Sequence, residues 1–186
     1  MLESGHHGGL WLDLDPLFAE PHRIDPLVHA LANALRPHDA SVICGALLGG
    51  AFLAQLLARA TGAAFCFTER VSAERSGLFT ARYRLPPSFA QRVRGQRVAM
   101  VDDVMSAGSA LRGTCDELLL HGAMPAAAGA LLVLGDVGAR FFAERGIPVE
   151  AAAREPYESW LPEQCPMCAA GVALEDIAAP APAIVT

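Results

Sequence analysis

Two adjacent carboxylates, Asp102 and Asp103, stand just ahead of a run of small and hydroxyl-bearing residues, Ser106-Ala107-Gly108-Ser109-Ala110. Ionised carboxylates only accept hydrogen bonds, which suits the vicinal hydroxyls of a ribose or a hydrated magnesium ion. Residues without bulky side chains let a phosphate approach the backbone, and a helix start offers it unpaired N–H groups and a positive dipole end. Ser106 and Ser109 add hydroxyl donors. Together the two halves suit a phosphorylated sugar. Each half alone has a plainer reading, the acids as a solvated loop and the serines as helix caps. Joined in one string from Val98 to Ala110, they are far more specific than a lone glycine motif.

The elements that must position this string can be read around it. Val98-Ala99-Met100-Val101, bounded by Arg97 and Asp102 and preceded by the turn residues Gly95-Gln96, reads as a buried strand with the acidic pair at its carboxyl end. Leu111, Cys115, Leu118 and Leu119 then recur at helical spacing up to His121-Gly122. A second unit has the same order: strand Ser41 to Cys44, loop Gly45-Ala46-Leu47-Leu48-Gly49-Gly50, a helix from Ala51 to about Ala60, and a strand from Ala64 to Thr68. Its glycine loop suits either an anion held by backbone N–H groups or a tight strand-to-helix turn. Asp25-Pro26 predicts a helix start, with Leu27, Leu31 and Leu35 on one face. Farther on, the pattern predicts a strand over Ala127 to Leu134, a short helix from Ala139 to Arg145 and a last strand from Val149 to Ala153. Strands alternating with helices imply an α/β fold, a mainly parallel twisted sheet flanked by helices, with ligands at the carboxyl ends of its strands.

Composition sets bounds on function. A chain of 186 residues, 53% apolar and 18% charged, predicts one globular domain over 1–176 with a flexible tail at 177–186. All 14 basic residues are arginine, the net charge is −6, and no basic run is present, which argues against a nucleic-acid partner. No apolar stretch reaches membrane-spanning length and the first residues lack a signal-peptide pattern, so no membrane partner and a cytoplasmic location are expected. Cys44, Cys66 and Cys115 sit in apolar settings and read as reduced core residues. Cys165-Pro166-Met167-Cys168 is a single Cys-x-x-Cys without a second ligand pair; His6, His7 or His121 could complete a zinc site with Cys165 and Cys168.

The string from Val98 to Ala110 resembles the phosphoribosyl-diphosphate (PRPP) signature of the type I phosphoribosyltransferases. In that family an apolar strand leads to two acidic residues, two apolar residues, Ser or Thr, a small residue, Gly, and two further small or hydroxyl residues. The resemblance implies a PRPP site over Asp102, Asp103, Val104, Met105, Ser106, Ala107, Gly108, Ser109 and Ala110, with the catalytic Asp102 and Asp103 on the ribose hydroxyls and Ser106 to Ala110 on the 5-phosphate. It likewise implies that the loop Gly45, Ala46, Leu47, Leu48 and Gly49 contacts the pyrophosphate. Residues 69–94, where Arg70, Arg75, Arg82 and Arg84 cluster and Leu78 to Leu85 alternates like an exposed strand, read by themselves as a solvated basic hairpin. By resemblance they would form a lid that shields an oxocarbenium-like sugar from water.

Leu2 to Leu12 further resembles the opening segment of orotate phosphoribosyltransferases, which implies Trp11, Leu12 and Ser106 beside the base. Phe67-Thr68-Glu69-Arg70 is similar to that family's strand ending in a PRPP-contacting arginine, with Arg75 a second pyrophosphate ligand, and the Cys165–Cys168 tail is similar to one branch of the family. Three positions depart from the pattern. Glu3 stands where a lysine is expected, the lid has neither lysine nor histidine, and Gly135-Asp136 is followed by Val137 rather than arginine. PRPP binding survives these changes better than orotate recognition. The resemblance implies transfer of the 5-phosphoribosyl group from PRPP, accompanied by Mg2+, to a nucleobase, with orotate leading and a purine or another base as the alternative. A PRPP-sensing regulator without catalysis is the reading from a different class. It also implies a homodimer and a small hood built from the N- and C-terminal segments.

Overall fold

The computed structural model describes residues 1–71 and 77–175. In chain order these form β1 (His7–Gly8), α1 (Asp15–Phe18), α2 (Pro21–Leu35), β2 (Val42–Ala46), α3 (Gly49–Thr61), β3 (Ala64–Val71), β4 (Arg82–Arg84), α4 (Pro87–Val93), β5 (Arg97–Met105), α5 (Ser109–Leu120), β6 (Met124–Leu134), α6 (Val137–Ala143), β7 (Val149–Glu155), β8 (Ser159–Trp160) and α7 (Pro166–Ala169). Six strands make one sheet in the order β4-β3-β2-β5-β6-β7. Every neighbouring pair is parallel except β3 with β4 at the edge.

Successive side chains of a strand point to opposite faces, so a sheet covered on both sides needs apolar residues at every position. Val42, Cys44, Val98 and Met100 face the layer of α4, α5 and α6, where Val93, Leu111, Leu118 and Phe142 are buried. Ile43, Ala99 and Val101 face α2 and α3, against Ile24, Leu31, Leu53 and Leu57. This is the mainly parallel, helix-flanked sheet that the alternating pattern predicts. β1 pairs antiparallel with β8, His7 opposite Trp160 and Gly8 opposite Ser159, so the two terminal segments do form a small hood. No helix among the described residues is long and apolar enough to cross a membrane.

Several boundaries differ from the sequence expectations for physical reasons. β5 does not stop before the acidic pair but runs through it to Met105, because the long strand β6 pairs with Asp102, Val104 and Met105. α2 begins at Pro21, not at Asp25-Pro26; Pro21 takes the first turn, where a missing N–H costs little, and Pro26 lies inside the helix. Its buried stripe is Ile24, Val28, Leu31, Ala32 and Leu35, with Leu27 only packed against it. α6 starts two residues before Ala139, at Val137, and ends at Ala143, where the Ile147 N–H reaches back to the Phe142 carbonyl across Gly146 (φ +68°).

At the two ends of the expected lid loop, Glu69, Arg70 and Val71 of β3 pair antiparallel with Arg84, Tyr83 and Arg82 of β4. Within Leu78 to Leu85 only Arg82–Arg84 is a strand, and Tyr83 and Leu85 are buried rather than exposed. α4 lays Val93 into the core with Phe89 packed beside it, so residues 87–93 are part of the scaffold. Arg75, at 72–76, and the tail at 177–186 lie outside the described residues.

Candidate functional site

The carboxyl ends of β2, β5 and β6 meet at a cavity of about 440 Å3, whose floor is made by Asp102, Asp103, Ser106, Gly108 and Ser109. Asp102 Oδ1 accepts the Asp103 N–H at 3.1 Å, and Asp103 Oδ1 accepts the Val104 N–H at 2.8 Å. Burial, and then the charge of Asp103, push the Asp102 carboxyl well above the usual carboxylate range; burial also raises Asp103. Two half-desolvated acids side by side favour hydroxyl donors or a cation opposite them.

The glycine loop after β2 is pressed onto this pair. A Cβ at Gly45 would stand 1.9 Å from the Gly50 carbonyl oxygen, one at Gly50 would stand 2.8 Å from Asp102 Oδ1, and one at Gly49 would stand 2.7 Å from Asp103 Oδ2. No larger residue fits at these positions without moving the loop off the acids. The tight-packing reading of the loop therefore holds. The Leu47–Leu48 peptide within it is cis, and Ala46 to Gly49 line the cavity wall.

After Met105 the chain turns through Gly108, in the left-handed region at φ +77°, into α5. The Ser109 hydroxyl is only 7% exposed as a residue, lines the cavity, and has no hydrogen-bond partner among the described residues. A buried hydroxyl left without a partner is uncommon and points to a ligand that supplies one. α5 is fixed from below by a 2.7 Å hydrogen bond between the fully buried hydroxyls of Thr114 and Thr68 on β3.

Sequence reasoning missed what holds the Ser106–Gly108 turn in place. Arg112 donates from Nε to the Ala107 carbonyl at 2.9 Å and from Nη2 to the Val137 carbonyl at 3.3 Å. Its guanidinium lies 3.9 Å from the ring centres of both Phe79 and Phe141. Burial, then Arg145, pull its pKa down to about 10, so it remains charged at neutral pH. Gly138 completes the support, its N–H donating to the Ser106 carbonyl at 3.0 Å where a Cβ would sit 2.7 Å from that oxygen. The signal for Arg112 was one helical turn after Gly108, but its partners are distant in sequence.

Of the residues singled out from the sequence, Asp102, Asp103, Val104, Ser106, Gly108, Ser109, Ala110, Ala46, Leu47, Leu48, Gly49, Trp11 and Leu12 all line the one cavity. Met105 and Ala107 are buried beneath the turn, so only their backbone can serve a ligand, and Gly45 lies under its own loop. Arg70 does not line this cavity. It lines an adjacent one of about 340 Å3, and its Nε is 3.0 Å from the Glu3 carboxylate. Glu3 also accepts the Tyr83 hydroxyl at 3.0 Å, while burial and then Glu3 push the Tyr83 pKa up. The charge expected to meet a pyrophosphate is thus already paired.

The histidines separate too. His6 is taken by Ser4 Oγ at 3.1 Å and lies against the Phe79 ring, and burial lowers its pKa; His121 is paired with Glu117 at 3.1 Å. His7 alone of the three meets the cysteine pair, Nδ1 standing 3.2 Å from Cys168 Sγ.

No family model matches the sequence. Among curated proteins, the chain is 31% identical to the orotate phosphoribosyltransferase of Heliobacterium modesticaldum over 172 residues, 91% of this chain and 83% of that protein. It is 27% identical to the orotate phosphoribosyltransferase of Thermotoga maritima over 178 residues, 94% of this chain and 87% of that one. Among solved structures, orotate phosphoribosyltransferase from Aeropyrum pernix superposes with a TM-score of 0.64 at 19% identity, covering 82% of this chain and 83% of that chain. Adenine phosphoribosyltransferase from Thermoanaerobacter pseudethanolicus gives the same TM-score at 18% identity, covering 79% and 89%. The shared fold does not distinguish one base from another.

Proposed function

The chain belongs to the orotate phosphoribosyltransferase family, within the type I phosphoribosyltransferases, and on that premise we propose that it transfers the 5-phosphoribosyl group of PRPP to orotate, forming orotidine 5'-phosphate and releasing pyrophosphate. The observation that carries the reading is the pairing, on one cavity floor, of the Asp102-Asp103 acceptors with the unpartnered Ser109 hydroxyl at a helix start. A ribose phosphate answers both needs at once, its hydroxyls donating to the carboxylates and its phosphate accepting from Ser109, Ser106 and the amides of the turn.

Held at both ends, the sugar carbon is fixed relative to the incoming base, and well-oriented reactants supply about 7–11 kcal/mol of a barrier. As the bond to pyrophosphate weakens, positive charge grows on the sugar beside Asp102 and Asp103, where a poorly solvated site strengthens the attraction. Magnesium bound with PRPP supplies neutralising charge for the pyrophosphate; the carboxylate pair on this floor fits a cation that keeps most of its waters. Trp11 and Leu12 form the apolar side on which the base would rest. The same reading carries a cytoplasmic homodimer, tested by whether the 19.6 kDa chain sediments at twice its mass.

A second reading keeps the chemistry and changes the base to a purine or another pyrimidine. Glu3, paired with Arg70 where the family pattern has a lysine, favours it. Incubating the protein with PRPP, Mg2+ and orotate, uracil, adenine, guanine and hypoxanthine in parallel, and identifying the nucleotide formed, separates the two. Orotidine 5'-phosphate supports the first reading and a purine nucleotide the second. PRPP binding without any nucleotide product contradicts both and points to a sensor.

A further inference from the structure

The hood holds a cluster that the proposed transfer does not use. Cys165 and Cys168 lie on and beside α7, and His7 on β1; one ligand atom from each lies within 4.8 Å of the others. His7 and Cys165 are only 7% and 5% exposed, whereas Cys168 is at the surface. The residues come from opposite ends of the chain, and the pairing of β1 with β8 brings them together. The triad opens on a separate cavity of about 290 Å3.

We propose that His7, Cys165 and Cys168 bind a zinc ion that ties the N-terminal strand of the hood to its C-terminal helix. Two thiolates and one imidazole form a soft donor set that selects zinc over magnesium or calcium, and Cys-x-x-Cys is the spacing of zinc-binding turns. A tetrahedral ion with bonds of about 2.0–2.3 Å needs its ligand atoms about 3.3–3.8 Å apart; the three atoms here all lie within 4.8 Å of one another, so a small side-chain adjustment brings them onto one ion. Binding displaces the two thiol protons to solvent and takes the neutral imidazole through Nδ1, the nitrogen already turned to Cys168. The described residues supply three ligands, and water from the adjoining cavity takes the fourth position. The consequence is mechanical. The two strands of the hood are two residues long each, and Leu10 and Trp11, a few residues beyond His7, line both this cavity and the one above Asp102. An ion here would fix the segment that carries them. The site does not rest on the proposed reaction, since zinc binding is read on the chain alone.

The test uses the whole chain, stripped of metal and kept reduced, titrated with zinc and in parallel with cobalt as a spectroscopic probe. One equivalent of zinc per chain is expected, with a rise in Tm, and cobalt should give the intense visible bands of a tetrahedral thiolate site together with sulfur-to-metal charge transfer. His7→Ala should weaken binding on the order of 100-fold, and Cys165→Ser/Cys168→Ser should abolish it. Because the double variant removes a buried residue, Cys168→Ser, at the surface, serves as the variant least able to perturb folding, and the cobalt spectrum of the unaltered chain needs no variant. Failure of the reduced chain to bind zinc at micromolar concentration, a cobalt spectrum without thiolate bands, or undiminished binding by the cysteine variants would overturn the proposal.

Discussion

The floor of the Asp102 cavity and the hood above it hold their residues by different means. On the floor, three strand ends, the glycine loop and the Ser106–Gly108 turn are locked by backbone contacts, buried threonines and a stacked arginine over a core covered on both faces. The hood has two strands of two residues each, a side-chain network joining Glu3, Arg70 and Tyr83, and the cysteine pair. The acidic pair and the Ser106–Ala110 turn keep the family pattern, whereas the hood departs from it at Glu3 and the start of α6 departs from it at Val137. A floor so tightly determined tolerates few substitutions, whereas a roof resting on a few side-chain contacts can exchange a lysine for Glu3 and re-pair its neighbours. On the proposed reading, sugar-phosphate binding belongs to the rigid part and base choice to the adjustable one.

The sharpest contrast should come from two glycines. Gly45→Ala drives a methyl into backbone atoms of Gly50 and Ala51, and about 1–3 kcal/mol or more is expected, read as a fall in Tm and a raised KM for PRPP. In the hood, Gly9→Ala meets nothing closer than Met167 Sδ at 3.7 Å, so its Tm should stay within about 0.5 kcal/mol equivalent of the parent. Equal effects of the two changes would erase the distinction between floor and roof.

Arg112→Ala should come next, at about 1–3 kcal/mol, because it strips the Ala107 carbonyl of its donor and Phe79 of its cation, while Phe141 keeps Arg145 over its ring. Phe79 sits at φ +54°, a conformation that bulky residues avoid and that the Arg112 stack and the Phe79 N–H bond to the Ser4 carbonyl support. As Arg112 positions the turn without facing the cavity, its loss should raise KM for PRPP more than KM for the base. A change confined to the base would contradict that role.

The acidic pair should make the unliganded floor less stable as it ionises. Its carboxyls are raised in the folded state, so between the unfolded value, about 3.9, and the higher folded values the native chain binds more protons than the unfolded one. Stability therefore falls as pH rises through that window and levels off above it. Asp102→Asn should then raise Tm at neutral pH, by about 2–4 °C for each kcal/mol recovered, and the gain should vanish in acid below the unfolded value. A lower neutral Tm in the variant would count against this electrostatic account.

The smallest effect is expected in the hood. Glu3→Gln breaks a partly exposed ion pair whose stability contribution is about 0–1 kcal/mol, and takes from Arg70 the carboxylate it meets beside its cavity. Relative rates with different bases should shift while Tm hardly moves. An unchanged base preference would remove Glu3 from the specificity argument.

What was legible in the sequence follows the same division. The order of strand, small-residue turn and helix at 98–120 could be read because it is written in consecutive residues, and the glycine loop's place followed from the repetition of that order. Where β5 ends could not be read, since its partner β6, more than twenty residues away, decides it. The pairing of Glu3 with Arg70, the Arg112 stack and the approach of His7 to Cys168 are contacts between distant residues that no local periodicity records. The half-buried state of the acids was equally invisible, because it depends on glycines that let another loop press against them.

The most direct test of the central claim is orotate-dependent pyrophosphate release from PRPP with Mg2+, compared between the parent and the Asp102→Asn/Asp103→Asn variant. Two charge-assisted hydrogen bonds of about 1.5–3 kcal/mol each imply a loss of roughly 100-fold or more, with the variant still folded. Release by the variant at the parent's rate would show that the floor around Asp102 is not where the sugar is held.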